Sequence, residues 1–588
     1  MMNSAAPTLS DYKYPLVILC AVVLVYVQTL SFEFVNYDDN DLVYQNSEFL
    51  SNPANLAAAF TTHAFTSHRA ESAYYRPLLL ASYIVDYQIW QLNPIGYHLT
   101  NVILHCLSAI LLFRLFLMIV REPLAALAGS LLFALHPIQT ESVAWVAGRN
   151  DVLVGLCIIM MTYWYVLQYE RPEHSRRSIL LAALSFLLAL FSKESAAFFV
   201  VLPAAYEIIL RKTPLRAVLT GQRLPFYSLA GGTLVIYFLI RLAIFGELIG
   251  AERLYGAIPM GTRITMAPAM LAEHLALLLA PLRLSVVHPL SELFWLEDPW
   301  TYAAIGVSLL FAAAAWWSWK NDRRSCFGLF WLAVGLVPVL NIFPVAVPIL
   351  EHRLYASAAG FALALTSVVQ KSVGSAGTPF RTVMLVLLVG AGGASFFRVP
   401  VWRTSETLWT DAIAKEPKGA RAYFNLAGYH FEKQEYEKTI GLLNSYLELK
   451  PEDLMGHVKL RQTYLLSRKF PEANTISRRM IALNPRNPNR YIEAGMLFEQ
   501  FNMPDSAIGI YREGIAVDAS FYQIHARLGT VFEALGNQDQ ALRHYNDAIR
   551  LIEEGAKNTH PPTEAVQLLK FLYERTGQAE KAQALSFK

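Results

Sequence analysis

The hydrophobic pattern of the chain changes once, near residue 400. Before that point, apolar runs of spanning length alternate with short polar loops; after it the chain is charged and reads as soluble helices. The runs predict membrane helices over 14–32, 95–119, 123–137, 150–169, 178–192, 195–210, 225–245, 265–281, 300–319, 326–342, 354–370 and 380–397. Segment 77–91, PLLLASYIVDYQIWQ, carries Asp86 and is bordered by Pro77 and Pro94, which fits an amphipathic helix in the interface better than a span. Basic loops mark the cytoplasmic side. They hold Arg114 and Arg121; Arg171, Arg176 and Arg177; Arg211, Lys212, Arg216 and Arg223; Lys320, Arg323 and Arg324; and Lys371 and Arg381. The 33–94 loop is then outside. Parity requires one segment within 225–299 to be re-entrant or interfacial, which leaves about 11 crossings and puts residues 398–588 on the outer face.

The C-terminal part is periodic. Tyr423, Leu426 and Pro451 recur as His457, Leu460 and Pro485, one period of about 34 residues later, the length of a tetratricopeptide (TPR) unit. A third unit carries Tyr491, Gly495, Phe498, Ala507 and Tyr511, and a fourth Leu528, Gly529, Phe532, Ala541, Tyr545 and Ala548. The clear units run 420–453, 454–487, 488–521 and 522–555. Trp409, Ala412 and Pro417 suggest a partial unit before them, and Leu569, Tyr573 and Ala582 one after. Small residues at the alanine positions let paired helices approach, and large residues fill the space opposite. The expected organisation is all-α: a polytopic helical bundle over 1–397 and a TPR solenoid over 398–588, whose concave surface would hold extended polypeptide.

Composition agrees. Hydrophobic residues make up 54% of the 588 and charged residues 16%, which excludes an ordinary soluble protein. A net charge of +3 gives no reason to expect a nucleic-acid partner. Cys20, Cys106, Cys157 and Cys326 lie in or beside apolar segments without metal-ligand spacing and read as buried thiols. The run Tyr14–Leu30 has no small-residue cleavage signature after it and reads as a retained first helix.

The ionisable groups expected at the outer face mix signs, whereas the inner face carries the loose basic residues that insertion alone requires. The outer set includes Asp38, Asp39, Arg76, Asp86, His136, Glu141, Arg149, Asp151, Lys193, Glu194, Arg241, Glu351, His352 and Arg353, with Tyr355 close by. Several have plain structural readings: Lys193–Glu194 as an interfacial ion pair, His136 as a helix end, Arg149 and Asp151 as local partners. Adjacent Asp38 and Asp39 contribute nothing to insertion and repel each other near a low-dielectric slab. The chemistry that fits them is transfer from an anionic lipid carrier. An oriented, partly desolvated carboxylate takes a proton from an incoming hydroxyl, and a neighbouring acid raises the pair's proton affinity. Arg149, Lys193, Arg241 and Arg353 are the cations available for a phosphate leaving group.

Seven stretches occur in the order found in one family: FVNYDDNDLVYQN, YYRPLLLASYIVDY, YHLTNVILHCLSAILLF, FALHPIQTESVAWVAGRNDVL, FSKESA, EHRLYASAAGFALAL and VWRTSETLWTDAIAKEPKGARAYFNLA. In these the chain resembles the transmembrane and tetratricopeptide-containing (TMTC-like) protein O-mannosyltransferases of the GT-C superfamily, over most of residues 30–430 with repeats following. The resemblance implies a GT-C-like bundle and a catalytic base within the first outer loop, landing on Asp38, with Asp39 as supporting acid. It implies a polyprenyl-phosphate sugar donor, mannose in eukaryotic members, and as acceptor a Ser or Thr hydroxyl of an extracytoplasmic polypeptide held by the repeats. A single displacement inverts the anomeric centre. His136, Glu141 and Arg149 would surround the donor; Lys193 and Glu194, and His352, Arg353 and Tyr355, would approach from neighbouring spans; Arg76, Asp86 and Asp151 would support the site. Some GT-C enzymes hold a divalent cation beside the acids, and the sequence leaves a metal undecided.

This chain departs from the family in having few repeats, in lacking a proline after Tyr355, and in containing no Asn-x-Ser/Thr sequon. The last point favours a bacterial inner membrane with a periplasmic repeat domain over the endoplasmic reticulum with a lumenal one, and with it a glycan or lipid as alternative acceptor. Two other readings stay open: a non-enzymatic membrane-anchored TPR scaffold, and a transporter of lipid-linked sugar, for which mid-span charges are sparse. Glu252, Arg253, Arg283, His288 and Glu292 fall in 247–299, whose topology the sequence does not resolve.

Overall fold

The computed structural model describes residues 9–65, 74–218, 220, 223–246, 259–288, 299–342, 349–374, 377–557 and 562–584. Glu252, Arg253 and Glu292 lie outside them. Every regular element among the described residues is helical. Among the described residues, seven helices are long and apolar enough to cross a membrane: Tyr12–Ser31, Pro94–Val120, Val146–Glu170, Pro172–Ser192, Leu224–Phe245, Trp300–Asn321 and Thr378–Trp402. Pro123–Leu135 is apolar but shorter. The run expected over 195–210 is not one regular helix: Glu194–Val201 is a 3₁₀ turn, Leu202–Ala205 α-helical and Tyr206–Leu210 a π-turn. Pro203 inside the run, which lacks an N–H, is one reason regular α-helix does not persist there. Segment 77–91 is the helix Pro77–Trp90, too short to span, with Pro77, Leu79, Leu80, Tyr83, Ile84 and Asp86 buried.

By internal contacts the chain divides into Met1–Asn425 and Leu426–Lys588. The first unit extends past the last apolar helix because the following segment is bonded to the loop after the first apolar helix. Glu33 N–H donates to the Arg403 carbonyl at 3.0 Å, Asn36 N–H to Ser405 Oγ at 2.8 Å, and Trp409 Nε1–H to Asn36 Oδ1 at 2.7 Å. Its core depends on close helix contact. A Cβ on Gly360 would lie 2.5 Å from the Gly328 carbonyl oxygen, so helices Arg323–Leu336 and Tyr355–Ser372 meet backbone to backbone. Cys106, Cys157 and Cys326 are buried as expected, but Cys20 is exposed. It shares the face of its helix that carries exposed Leu16, Val17, Leu19, Val23 and Leu24, the face an apolar helix turns to lipid.

The second unit is a series of antiparallel helix pairs: Leu454–Leu466 with Phe470–Leu483, Pro488–Gln500 with Pro504–Val517, Tyr522–Ala534 with Gln538–Ala556, and Thr563–Arg575 with Ala579–Ala584. The small-against-large pattern is realised in contacts. A Cβ on Gly495 would strike the Tyr511 ring at 2.2 Å, and one on Gly529 the Tyr545 ring at 2.3 Å. Each tyrosine hydroxyl donates to a glutamate on the facing helix, Tyr511 to Glu499 and Tyr545 to Glu533.

Candidate functional site

The loop after the first apolar helix begins at Phe32 and turns at Asp38–Asp39 into a π-turn, Asn40–Tyr44. Asp39 is 1% exposed. Its Oδ2 accepts from Val35 N–H at 3.0 Å, within its own loop, and its Oδ1 from Ala147 N–H at 2.9 Å, in the HPIQTESVAWVAGRND segment. Burial pushes its carboxyl up to about 7; the two N–H bonds pull the other way, and the charge of Asp38 adds to the rise. Asp39 therefore pins two segments together, while Asp38 keeps part of its surface in solvent. Tyr37 stacks on Trp145 with centroids 4.6 Å apart, and the Arg421 guanidinium lies 4.6 Å from the Tyr37 ring.

Glu141, on the turn Gln139–Ala144, is 1% exposed. Its oxygens contact His352 twice, accepting from the backbone N–H at 3.0 Å and meeting Nδ1 at 3.0 Å. Burial pushes Glu141 up to about 7, against the pull of His288 and the His352 N–H. Burial drives His352 down to about 3, with Asp151 opposing. The Nε2 of His352 lies 3.9 Å from Asp151 Oδ2. Asp151 takes Lys193 Nζ on both oxygens, at 2.8 and 2.9 Å. Lys193 therefore pairs across helices and not with Glu194, and burial lowers its pKa against the support of Asp151. Burial also lowers Arg353, again against Asp151, with Tyr74 and Tyr37 nearby. Glu194 goes down although burial alone would raise it, because Arg76 and Arg241 act on it. Glu141, His352, Asp151, Lys193, Arg353, Arg76, Glu194 and Arg241 thus form one electrostatically connected set. Tyr37, beside Asp38, feels the charges of Glu141 and Arg353.

Other expected site residues are placed elsewhere. Arg149 does not pair with Asp151. Its guanidinium is wholly buried, 2.6 Å from Asp86 Oδ2, and donates to Asn101 Oδ1 at 2.8 Å, Ser82 Oγ at 3.2 Å and the Tyr97 carbonyl at 2.9 Å, with the Tyr83 ring 4.6 Å away. Both Arg149 and Asp86 are enclosed by protein, Asp86 also accepting from Thr100 Oγ1 at 2.8 Å. His136 is a helix end: Nε2 meets the Leu278 carbonyl at 2.8 Å and Nδ1 accepts from Ile138 N–H at 3.2 Å. Tyr355 is buried among the helices, its hydroxyl 2.7 Å from His105 Nδ1. His288 joins the site from 247–299, 3.1 Å from Glu351 Oε1, and its charge acts on Glu141.

Sequence reasoning passed over Asn101 and Trp145. Asn101 Nδ2 donates to the Trp145 carbonyl at 2.9 Å, so the arginine cluster also fixes the segment that carries Ala147. Trp145 lies between Tyr37, His352 and Trp402. The signals were an amide inside an apolar run and an indole between two small-residue stretches. Among the described residues, the side chains at the acidic pair do not converge as a metal-ligand set. The oxygens of Asp39 are taken by N–H donors and those of Asp151 by Lys193.

Comparison with known proteins gives three kinds of likeness. The tetratricopeptide repeat family model matches residues 402–453. The chain is similar to human protein O-mannosyl-transferase TMTC3, 23% identical over 537 residues, covering 82% of this chain and 58% of that one. It is 32% identical to Drosophila melanogaster protein O-mannosyl-transferase Tmtc1 over 178 residues, 29% of this chain and 20% of that one. The chain thus spans less than two thirds of the length of these relatives. Among solved structures, ArnT from Cupriavidus metallidurans bound to undecaprenyl phosphate aligns with a TM-score of 0.40 at 11% identity, covering 88% of this chain and 81% of that one. The Archaeoglobus fulgidus oligosaccharyltransferase aligns at 0.39 and 14%, covering 71% and 59%.

Proposed function

We propose that the chain is a membrane glycosyltransferase that moves a sugar, mannose by its relatives' names, from a polyprenyl-phosphate donor to Ser or Thr hydroxyls of extracytoplasmic polypeptides. The observation that carries the reading is the division of labour within the acidic pair. Asp39 is buried with both oxygens on backbone N–H groups, and Asp38 beside it stays partly solvent-exposed. A general base must reach the hydroxyl whose proton it takes, so Asp38 is the base and Asp39 holds its loop. The acceptor oxygen forms a bond to the anomeric carbon, its proton goes to Asp38, and the carbon–oxygen bond to phosphate breaks on the opposite face, inverting the centre. Arg353, Lys193, Arg76 and Arg241 supply the positive charge that the departing phosphate requires.

The reading places the acidic loop and residues 398–588 on one extracytoplasmic side, with the repeats holding the acceptor. A bacterial inner membrane remains the proposed location. The test is sugar transfer by purified protein from radiolabelled polyprenyl-phosphate mannose to polypeptide. Asp38→Asn should lose transfer by 10²-fold or more while still folding and binding donor. Transfer unchanged in Asp38→Asn removes the acid from the mechanism; transfer to a glycan or lipid alone redirects the acceptor; no transfer by wild type with any prenyl-phosphate sugar favours the scaffold.

A further inference from the structure

We propose that His525, His544 and Asp547 form a binding site for a divalent transition ion of the zinc class, held between the two helices of one tetratricopeptide pair. His525 lies on Tyr522–Ala534, and His544 and Asp547 lie one turn apart on Gln538–Ala556. The ligating atoms of the three all lie within 4.8 Å of one another. The two Nδ1 atoms face each other at 3.2 Å, and His525 Nδ1 is 3.8 Å from Asp547 Oδ2. Two imidazole nitrogens bound tetrahedrally to one zinc, each about 2.05 Å from it, stand about 3.3 Å apart. The observed separation therefore suits a shared ion as well as a shared proton.

The surroundings orient the three groups as metal ligands are usually oriented. The Phe532 ring lies parallel to His544, centroids 5.6 Å apart and 1° between planes, which fixes the imidazole plane. Arg550 Nη2 sits 3.3 Å from Asp547 Oδ1 and so leaves Oδ2, the oxygen nearer His525, for a ligand. That pair is solvent-exposed and of small strength, so it offers little resistance to a shift of the carboxylate toward an ion. Two histidines and one carboxylate leave a fourth position for water or an exogenous group, the pattern of an open site. These residues take no part in the chemistry proposed at Asp38, so the site stands or falls separately from it.

The test uses the full chain in detergent, stripped with chelator and titrated with Co²⁺ as the spectroscopic probe, then back-titrated with Zn²⁺. The expected result is one saturable equivalent with ligand-field bands that zinc removes. Affinity should weaken at least tenfold in His525→Ala and in His544→Ala and stay unchanged in His174→Ala, an exposed histidine elsewhere. Asp547→Asn preserves shape at a partly exposed position and should weaken binding about tenfold, a readout that survives if a histidine variant misfolds. Absence of saturable binding by wild type, or binding that persists in the double His525→Ala/His544→Ala variant, overturns the site.

Discussion

Asp38 and Asp39 look alike in sequence and differ in their surroundings. Asp39 accepts two backbone N–H bonds inside the protein, and replacing it by Asn turns an NH₂ toward one of those donors. The loss expected is about 1–3 kcal/mol. The pH dependence has a definite sign. The ordinary carboxyl value is 3.8 and the folded one about 7, so between these pH values the folded state holds more protons than the unfolded one. Stability from Asp39 therefore falls as pH rises from about 4 to 7 and levels off above, by up to about 4 kcal/mol. Melting temperature against pH, wild type minus Asp39→Asn, should decline across that window. A difference that stays flat across that window and falls only below about pH 4 means that the N–H bonds outweigh burial and that the carboxylate is ionised throughout it. Which of two adjacent acids is buried was not legible in DD, because the Ala147 N–H that caps one of them arrives from more than a hundred positions away.

At the scale of elements, the Arg149 cluster joins the short helix Pro77–Trp90 to the start of Pro94–Val120 and to the turn before Arg149–Glu170. Removing one partner of a buried pair leaves an uncompensated charge, and Arg149→Met should cost about 3–5 kcal/mol. The double variant Arg149→Met/Asp86→Leu should recover most of that loss. Thermal unfolding of the two variants decides the matter: a double variant no more stable than the single one means that Arg149 acts through Asn101 and Tyr97 rather than through Asp86. Charged residues at the ends of the apolar helices were readable from the sequence alone. Their pairing was not, since Arg149 and Asp151, neighbours on one helix, point to different partners on different elements.

For the whole molecule, the side of the membrane on which each unit lies is open to direct labelling. In a variant with Cys20, Cys106, Cys157 and Cys326 replaced, single cysteines at Glu33 and Lys557 should react with an impermeant maleimide in intact cells. A cysteine at Arg171 should react only after permeabilisation. Labelling at position 33 without 557 places the repeats on the cytoplasmic side; labelling at 171 in intact cells reverses the orientation.

The sequence by itself determined the class of molecule: apolar runs dictate a helical membrane bundle, since backbone polar groups in lipid must be satisfied within the segment. It also determined the repeats, because a glycine facing a tyrosine ring at 495 and 511, and again at 529 and 545, is a short-range pattern repeated in register. Tertiary structure alone decided the partners of Asp39, Glu141, Arg149 and Lys193, the position of His288, and the meeting of His525 with His544. Periodicity records which face of a helix is apolar. It carries no information about which side chain of another helix arrives at a given polar position, and burial, the largest influence on the Asp39 and Glu141 carboxyls, exists only once the helices have packed.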